Sequence, residues 1–372
     1  MIAQNDKTDV FVVGGGPAGL AAAIAARQVG LSVTVADGAG PNVDKACGEG
    51  MAPESLAVLQ DLGIKFPANA GFRFRGIQFV LADRRAAAQF PQGYGLGIRR
   101  TVLHKLLAEK AEQVGVKVLW KSPVTGIGSD GVRLPGATAP ARWIIGADGV
   151  GSRVRTWSGL GVSALRTQRP ATRRHYRLRP WSDYVEIHWG RRAQAYVTPV
   201  SDDEVCVVII GETAGHAKFD SAFQDMPELR ARLAGAEVSG RERGAITMMH
   251  VLRQVSKGQV ALVGDASGGV DAITGEGLRL GFQHALALAS ALASGDLQSY
   301  DRAHQRLAKR PLRIGALMLQ MGKSPWLQRR AIRALAEKPE LFRKLLCIHV
   351  GQSSAKEILA TGAQLSWQFL AA

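Results

Sequence analysis

Three textures of apolar and polar positions succeed one another along this chain. From Asp9 to about Leu62 short β-branched runs alternate with alanine-rich stretches. Val10 to Val13 is apolar, Leu20 to Val29 is helix-like, and Val33 to Ala36 is apolar again. Short unbroken apolar runs separated by helical stretches predict parallel strands buried on both faces. Phe72 to Phe90 loses that regularity and shows short β-like pieces. A helix is expected from Gly97–Leu107 to about Val114, then strands at Val116 to Leu119 and Trp143 to Ile145.

From about Arg166 to Met249 the pattern is that of strands, with Tyr184 to Trp189, Ala193 to Thr198 and Val205 to Ile210 as members and Ser201–Glu204 as a hairpin turn. This predicts an inserted antiparallel sheet with a helix over 219–233 beside it. Buried-strand texture resumes near Gly258. Everything after Gly281 reads as helices, with breaks expected at Pro311, Pro325 and Pro339. The expected fold class is therefore α/β: a discontinuous Rossmann-like domain (1–71, 96–165 and 256–295), a substrate domain with the antiparallel sheet (72–95 and 166–255) and a helical C-terminal region (296–372).

The first strand runs into Gly14-Gly15-Gly16-Pro17-Ala18-Gly19 and a helix leaves it. Gly14 permits the tight turn, Gly16 lets backbone approach a pyrophosphate, and Gly19 lets helix pack on strand; N–H groups at the helix start favour the phosphate. The second strand ends at Asp37, a carboxylate placed to accept from a ribose hydroxyl. Much later Val260–Ala266 is a second strand and turn, carrying Gly264-Asp265-Ala266. Together these point to one bound dinucleotide.

With 372 residues the chain can bury a sizeable core. Residues 1–10 are polar up to the first strand, which leaves no room for a signal peptide, and no apolar run is long enough to span a bilayer. A cytoplasmic, or membrane-peripheral, location is expected. Cys47, Cys206 and Cys347 are widely spaced and odd in number, so neither a disulfide framework nor a metal site is expected.

The net charge of +16 is concentrated in two clusters. One holds Arg166, Arg169, Arg173, Arg174, Arg177 and Arg179. The other, 302–333, interleaves Arg302, Arg306, Lys309, Arg310, Arg313, Lys323, Arg329, Arg330 and Arg333 with apolar residues such as Leu317 and Trp326. A membrane-surface helix, a site for an anionic partner or a solvated basic face would each give this mixture. No nucleic-acid motif accompanies it, so nucleic acid is not expected as a partner.

Three blocks, Gly14–Gly19 with Asp37, Gly146-Ala147-Asp148-Gly149 with Ser152 and Arg155, and Gly264-Asp265-Ala266, resemble the FAD-dependent monooxygenase and geranylgeranyl reductase superfamily. The resemblance covers nearly the whole chain to about Leu292, and the fold it implies is that of para-hydroxybenzoate hydroxylase. It implies FAD as cofactor and NADH or NADPH as transient reductant. Asp265 would bond the ribityl or pyrophosphate region and Arg100 would lie along FAD. Asp148 would serve the flavin and pyridine-nucleotide side. The loop Gly269–Gly277, with Gly275, Glu276, Gly277 and Leu278 at a helix start, would hold the flavin edge.

After Gly264-Asp265-Ala266 the chain has Ser267 and Asp271-Ala272 where aromatic hydroxylases usually carry a His and a Pro. That departure, with Cys47-Gly48-Glu49-Gly50, is closer to the geranylgeranyl reductase-like branch, which places a cysteine near the flavin. Cys47 and Gly48 are thus assigned to the flavin, with Cys47 a candidate proton source. On the inserted sheet Glu186 and His188 share one face, Ile187 and Trp189 the other. His188 is a candidate base, Tyr196 and Thr198 pocket residues. The expected reaction is hydroxylation of a phenolic or other apolar molecule by way of a flavin hydroperoxide. The alternative is reduction of carbon–carbon double bonds in a polyprenyl or lipid-like substrate.

Overall fold

A computed structural model describes residues 8–371; for Arg166 and 366–371 it describes backbone alone. The first texture folds into a six-stranded sheet in the order 256–257, 260–262, 141–146, 8–13, 33–36, 117–119. All neighbours are parallel except the short edge strand Ser256–Lys257. Helices Pro17–Gln28, Arg100–Gln113 and Gly277–Ser294 pack together with this sheet. The alanines of the first helix explain its place: Ala21, Ala22, Ala23, Ala25 and Ala26 are all buried, so small side chains let it sit close to its neighbours on more than one side. A three-stranded meander (Gly126–Gly128, Gly131–Leu134, Ala137–Ala139) completes this core with Val132 and Ala139.

The inserted texture forms a seven-stranded sheet in the order 237–252, 162–177, 204–211, 193–201, 184–189, 76–81, 84–89. Along Glu204–Gly211 residues alternate between its faces. Val205, Val207 and Ile209 pack under the helices Phe219–Ala222 and Pro227–Leu233, while Cys206, Val208 and Ile210 face a second core shared with the C-terminal helices. Both faces are covered, which is why Val205–Ile210 lacks polar alternation. Phe72–Phe74 leaves the irregular 72–90 segment to join a separate sheet with Gly50–Met51 and Gly95–Gly97.

Two helical expectations change. The segment 219–233 is divided, because Pro227 starts a new helix. Pro311 does not break the chain: one helix runs from Leu297 to Lys323 with Pro311 buried inside it, capped by Asp296, which accepts from Gln298 and Ser299 N–H. Tertiary packing there outweighs one lost backbone hydrogen bond. Pro325 and Pro339 instead occupy first turns of Pro325–Glu337 and Pro339–Val350, where no N–H is required. A last helix covers Ala355–Ala371. No described helix is long and apolar enough to cross a membrane.

Candidate active site

A single continuous cavity of about 1010 Å³ runs between the two sheets and out beneath the C-terminal helices. Its inner end is the glycine turn after the first strand. Gly14 has φ +110°, and a Cβ there would lie 2.5 Å from the Ala147 carbonyl oxygen; one on Gly19 would lie 1.9 Å from that of Gly14. Gly16 differs, because a Cβ there would meet only open cavity. Packing therefore demands two glycines and leaves the third to a ligand. Pro17 and Ala18 begin the helix at the cavity wall. Asp37 accepts from Gly15 N–H (2.6 Å) and Ala39 N–H (2.7 Å), which pins its carboxylate at the cavity edge.

Asp148 lines the cavity and also braces the chain beside it. Ser152 Oγ donates to one of its oxygens at 2.5 Å, and the N–H groups of Arg153 and Val154 donate to the other at 2.7 and 3.1 Å. Its carboxylate lines the cavity but holds the start of helix Arg153–Trp157. Arg155 then donates to the Ala266 carbonyl at 3.0 Å and ties this motif to Gly264–Ala266. Asp265 is exposed toward the cavity, and its carboxylate has no hydrogen-bond or ion-pair partner among the described residues. Arg100 also reaches the cavity, with a buried Nε that no protein atom bonds. An open glycine, a free carboxylate and an unsatisfied guanidinium nitrogen fit a polar, anionic dinucleotide such as FAD. His104, one helical turn after Arg100, was not singled out by sequence; its Nε2 bonds the Gly15 carbonyl at 2.8 Å. The i, i+4 spacing on one helix was the available signal.

The loop Gly269–Gly277 is clamped from the inserted sheet. Arg169 and Asp271, both buried, form a two-pronged ion pair, with Nε to Oδ2 at 3.0 Å and Nη2 to Oδ1 at 2.5 Å. Arg169 also donates to Gln194 Oε1 at 2.6 Å. Tyr196 donates its hydroxyl to the Ile273 carbonyl at 2.7 Å, and burial pushes its pKa up. Tyr196 thus lines the cavity with its polar atom engaged, as a holder of the loop. Gly275 has φ +67°, and Cβ atoms on Gly275 or Gly277 would meet nothing within 4 Å. Leu278 lies at the cavity wall. Glu276 turns into a buried ion pair with Arg279, and His349 Nε2 lies 3.1 Å from its other oxygen.

Opposite this loop, Cys47 and Gly48 line the cavity. Cys47 Sγ accepts from Glu49 N–H at 3.4 Å, and Cys206 Sγ donates to the Cys47 carbonyl at 3.6 Å. Glu49, with φ +57°, sends a buried carboxylate into a network. One oxygen accepts from Arg100 N–H (2.9 Å) and Arg173 (3.1 Å), the other pairs with His175 Nε2 (2.6 Å). Arg173 then reaches both oxygens of Asp44 at 2.9 Å, and Arg243 joins at 3.1 Å. Burial opposes ionisation of Glu49, but the His175 bond and Arg173 charge outweigh it and hold its pKa below the ordinary range. Glu49, His175 and Cys206 place ligand-type atoms within 4.8 Å of one another. Both Glu49 oxygens are already bonded, one to a guanidinium, so the cluster is a charge-paired network that fixes the Cys47 loop.

His188 must be reassigned. It shares a face with Glu186, as the strand period predicts, and its Nε2 lies 2.9 Å from Glu186 Oε2. Ile187, on the opposite face, is the residue that lines the cavity. An imidazole on the wrong side of a sheet cannot act as base there.

Away from the polar end, the cavity wall is apolar. Phe74, Ile77, Phe79 and Phe90 contribute from one side; Ile314, Met318, Leu335, Phe342 and Leu346 contribute from the C-terminal helices. Much of the basic cluster Arg169–Arg179 is paired within the chain: Arg169 with Asp271 and Arg173 with Asp44 and Glu49 in the interior, Arg174 with Glu242 and Arg177 with Glu237 at the surface. The side chain of Arg166 lies outside the described residues.

Known proteins share this architecture. A menaquinone reductase of Mycolicibacterium smegmatis is 26% identical over 331 residues, covering 81% of this chain and 80% of the relative. A digeranylgeranylglycerophospholipid reductase of Methanocella arvoryzae is 26% identical over 297 residues, covering 74% of each chain. Among solved structures, a flavoprotein/dehydrogenase of Cytophaga hutchinsonii superposes with a TM-score of 0.79 over 93% of both chains at 19% identity. The FAD binding domain family matches residues 7–297, and the chain belongs to it, within the FAD-dependent monooxygenase and geranylgeranyl reductase superfamily of oxidoreductases.

Proposed function

We propose that this oxidoreductase reduces carbon–carbon double bonds in an isoprenoid or similarly lipid-like substrate, with NADH or NADPH as reductant. The observation that carries the reading is the continuity of the cavity from the Cys47–Gly48 and Gly269–Gly277 loops into an apolar passage under the C-terminal helices. A long apolar chain can lie there without stranding polar atoms, and burial of each methylene group is worth about 0.8 kcal/mol. Bound FAD, once reduced by NADH or NADPH, would supply a hydride to one carbon of the double bond and return to its oxidised form. The Cys47 thiol, held by Glu49 N–H, stands at the cavity wall to deliver a proton to the other carbon. The π bond is replaced by two C–H bonds, and the thiolate regains its proton from water.

Hydroxylation of a phenol, the first expectation from sequence, is less well served. His188 faces away, and the Tyr196 hydroxyl is committed to Ile273. Relatives named as reductases of menaquinone and of a digeranylgeranylglycerophospholipid point the same way. The test is anaerobic: protein reduced by one equivalent of NAD(P)H is mixed with polyprenyl compounds. The yellow absorbance should return within turnover time for a polyprenyl substrate and not for phenols. Return only on admitting oxygen would overturn the proposal.

A further inference from the structure

We infer that the outer face of the two helices Leu297–Lys323 and Pro325–Glu337 docks on an anionic lipid bilayer, and that the apolar cavity opens toward that bilayer. The second half rests on the lipid-like substrate proposed above; the first does not.

Between Asp301 and Glu337 the chain has nine Lys and Arg and no acidic residue. On the first helix the exposed positions Arg302, Arg306, Lys309, Arg313, Leu317 and Gln320 recur every three or four residues and so form one face. Asp296 pairs with Arg302 and Glu337 with Arg333. Arg306, Lys309, Arg313, Lys323 and Arg329 have no ion pair among the described residues. This is what separates them from the Arg169–Arg179 cluster, whose charge is largely matched within the fold. A coherent, unmatched positive face favours an anionic surface.

Large apolar groups lie within the same basic stretch. Leu317 is 62% and Trp326 60% exposed, and the Arg330 guanidinium sits 5.0 Å above the Trp326 ring. A protein binding partners by charge alone gains nothing from exposing them. A bilayer takes the apolar groups below its headgroups and the cations among them, and Trp is favoured at that boundary.

Leu317 is also a cavity-lining residue, as is Ile246, itself 50% exposed. Gly315 fits against Thr274 and Met249, so this helix runs beside the strand that bears Ile246. The passage from the flavin loop therefore reaches the surface within the basic and apolar patch. A lipid-like molecule could move from bilayer to cavity there without crossing water.

The experiment is cosedimentation of the full-length, FAD-loaded protein with vesicles of phosphatidylglycerol and phosphatidylcholine, or of phosphatidylcholine alone. Binding at least tenfold stronger to the anionic vesicles at low salt is expected, falling steeply as salt is raised. Arg306→Glu, Lys309→Glu and Arg313→Glu together should abolish it, and Leu317→Ser with Trp326→Ser should weaken it at least fivefold with the charges intact. Equal binding to both vesicles, or no loss in the charge-reversed variant, overturns the inference. So does binding that ignores Leu317 and Trp326 and is competed equally by duplex DNA, which would mark a general polyanion site. The charge-reversed residues lie outside the cavity, so reduction of a short detergent-dispersed substrate by that variant should be unchanged. That readout separates failure of docking from failure of the reductase reading.

Discussion

Glu49 concentrates the residue-scale argument. A buried carboxylate with positive φ is costly twice over, and it persists because Arg100 N–H, Arg173 and His175 together take both its oxygens. Glu49→Gln keeps the shape and removes the charge, leaving Arg173 under-compensated; thermal unfolding should show a loss of about 3 kcal/mol. The folded pKa of Glu49 lies below its unfolded value. Its contribution is therefore full at neutral pH and fades as pH falls below about 4.5, and the variant should lack that acid-side loss. Cys47→Ala tests the proton source separately: turnover should drop at least tenfold with the bound flavin spectrum unchanged. Undiminished turnover would leave the thiol as wall only.

Residues with a local rationale were legible in the sequence. Gly14, Gly16 and Gly19 each answer to backbone approach within one turn, and Asp37 ends the next strand. What stayed hidden were partners brought together by folding. Arg173 and Glu49 are separated by 124 residues, and Asp148 bonds the start of its own helix as well as lining the cavity. Alternation placed Glu186 and His188 on one face but could not say which face meets the cavity.

Among the elements, the loop Gly269–Gly277 and the inserted sheet are joined by Arg169–Asp271 and Tyr196–Ile273. Arg169→Met leaves Asp271 as an uncompensated buried charge at the base of Gly269–Gly277. FAD affinity measured by titration of the apoprotein should weaken at least tenfold, and an unchanged affinity would free the loop from the clamp. Behind the Gly264–Ser267 turn, His284 and His304 stack with ring centroids 4.0 Å apart, and His304 Nε2 bonds Ser267 Oγ at 2.9 Å. Burial depresses both, His304 to about 4. Each folded pKa lies below the unfolded value near 6.5, so the stability is intact above pH 6.5 and is lost as pH falls toward 4. The His304 share is up to roughly 3 kcal/mol. Melting temperature should begin to fall below pH 6.5, and His284→Leu with His304→Gln should flatten that slope between pH 6.5 and 5.

Elements themselves were readable wherever periodicity was strong. Strands 184–189, 193–201 and 204–211 follow their apolar runs, and the turn at Asp202–Asp203 sits between the last two. Pro311 misled because propensity is local, whereas the helix around it is kept by burial against the sheet and its neighbours. The segment 72–90 was opaque because its first three residues serve one sheet and the strands 76–81 and 84–89 another.

For the whole molecule, two cores meet along one cavity. The first, around the parallel sheet, supplies the dinucleotide end; the second, between the antiparallel sheet and the C-terminal helices, supplies the apolar passage. Sequence announced the first through its glycine motifs. It could not announce the second, whose lining comes from distant segments with no shared motif. That passage is what turns the reading from phenol hydroxylation toward reduction of a lipid-like substrate. The most direct measurement is the product mass from the FAD-loaded protein, NAD(P)H and a polyprenyl substrate, run with and without oxygen. A gain of about 2 mass units per double bond is expected in both conditions. A gain of about 16 units that requires oxygen would contradict it and make the protein a monooxygenase.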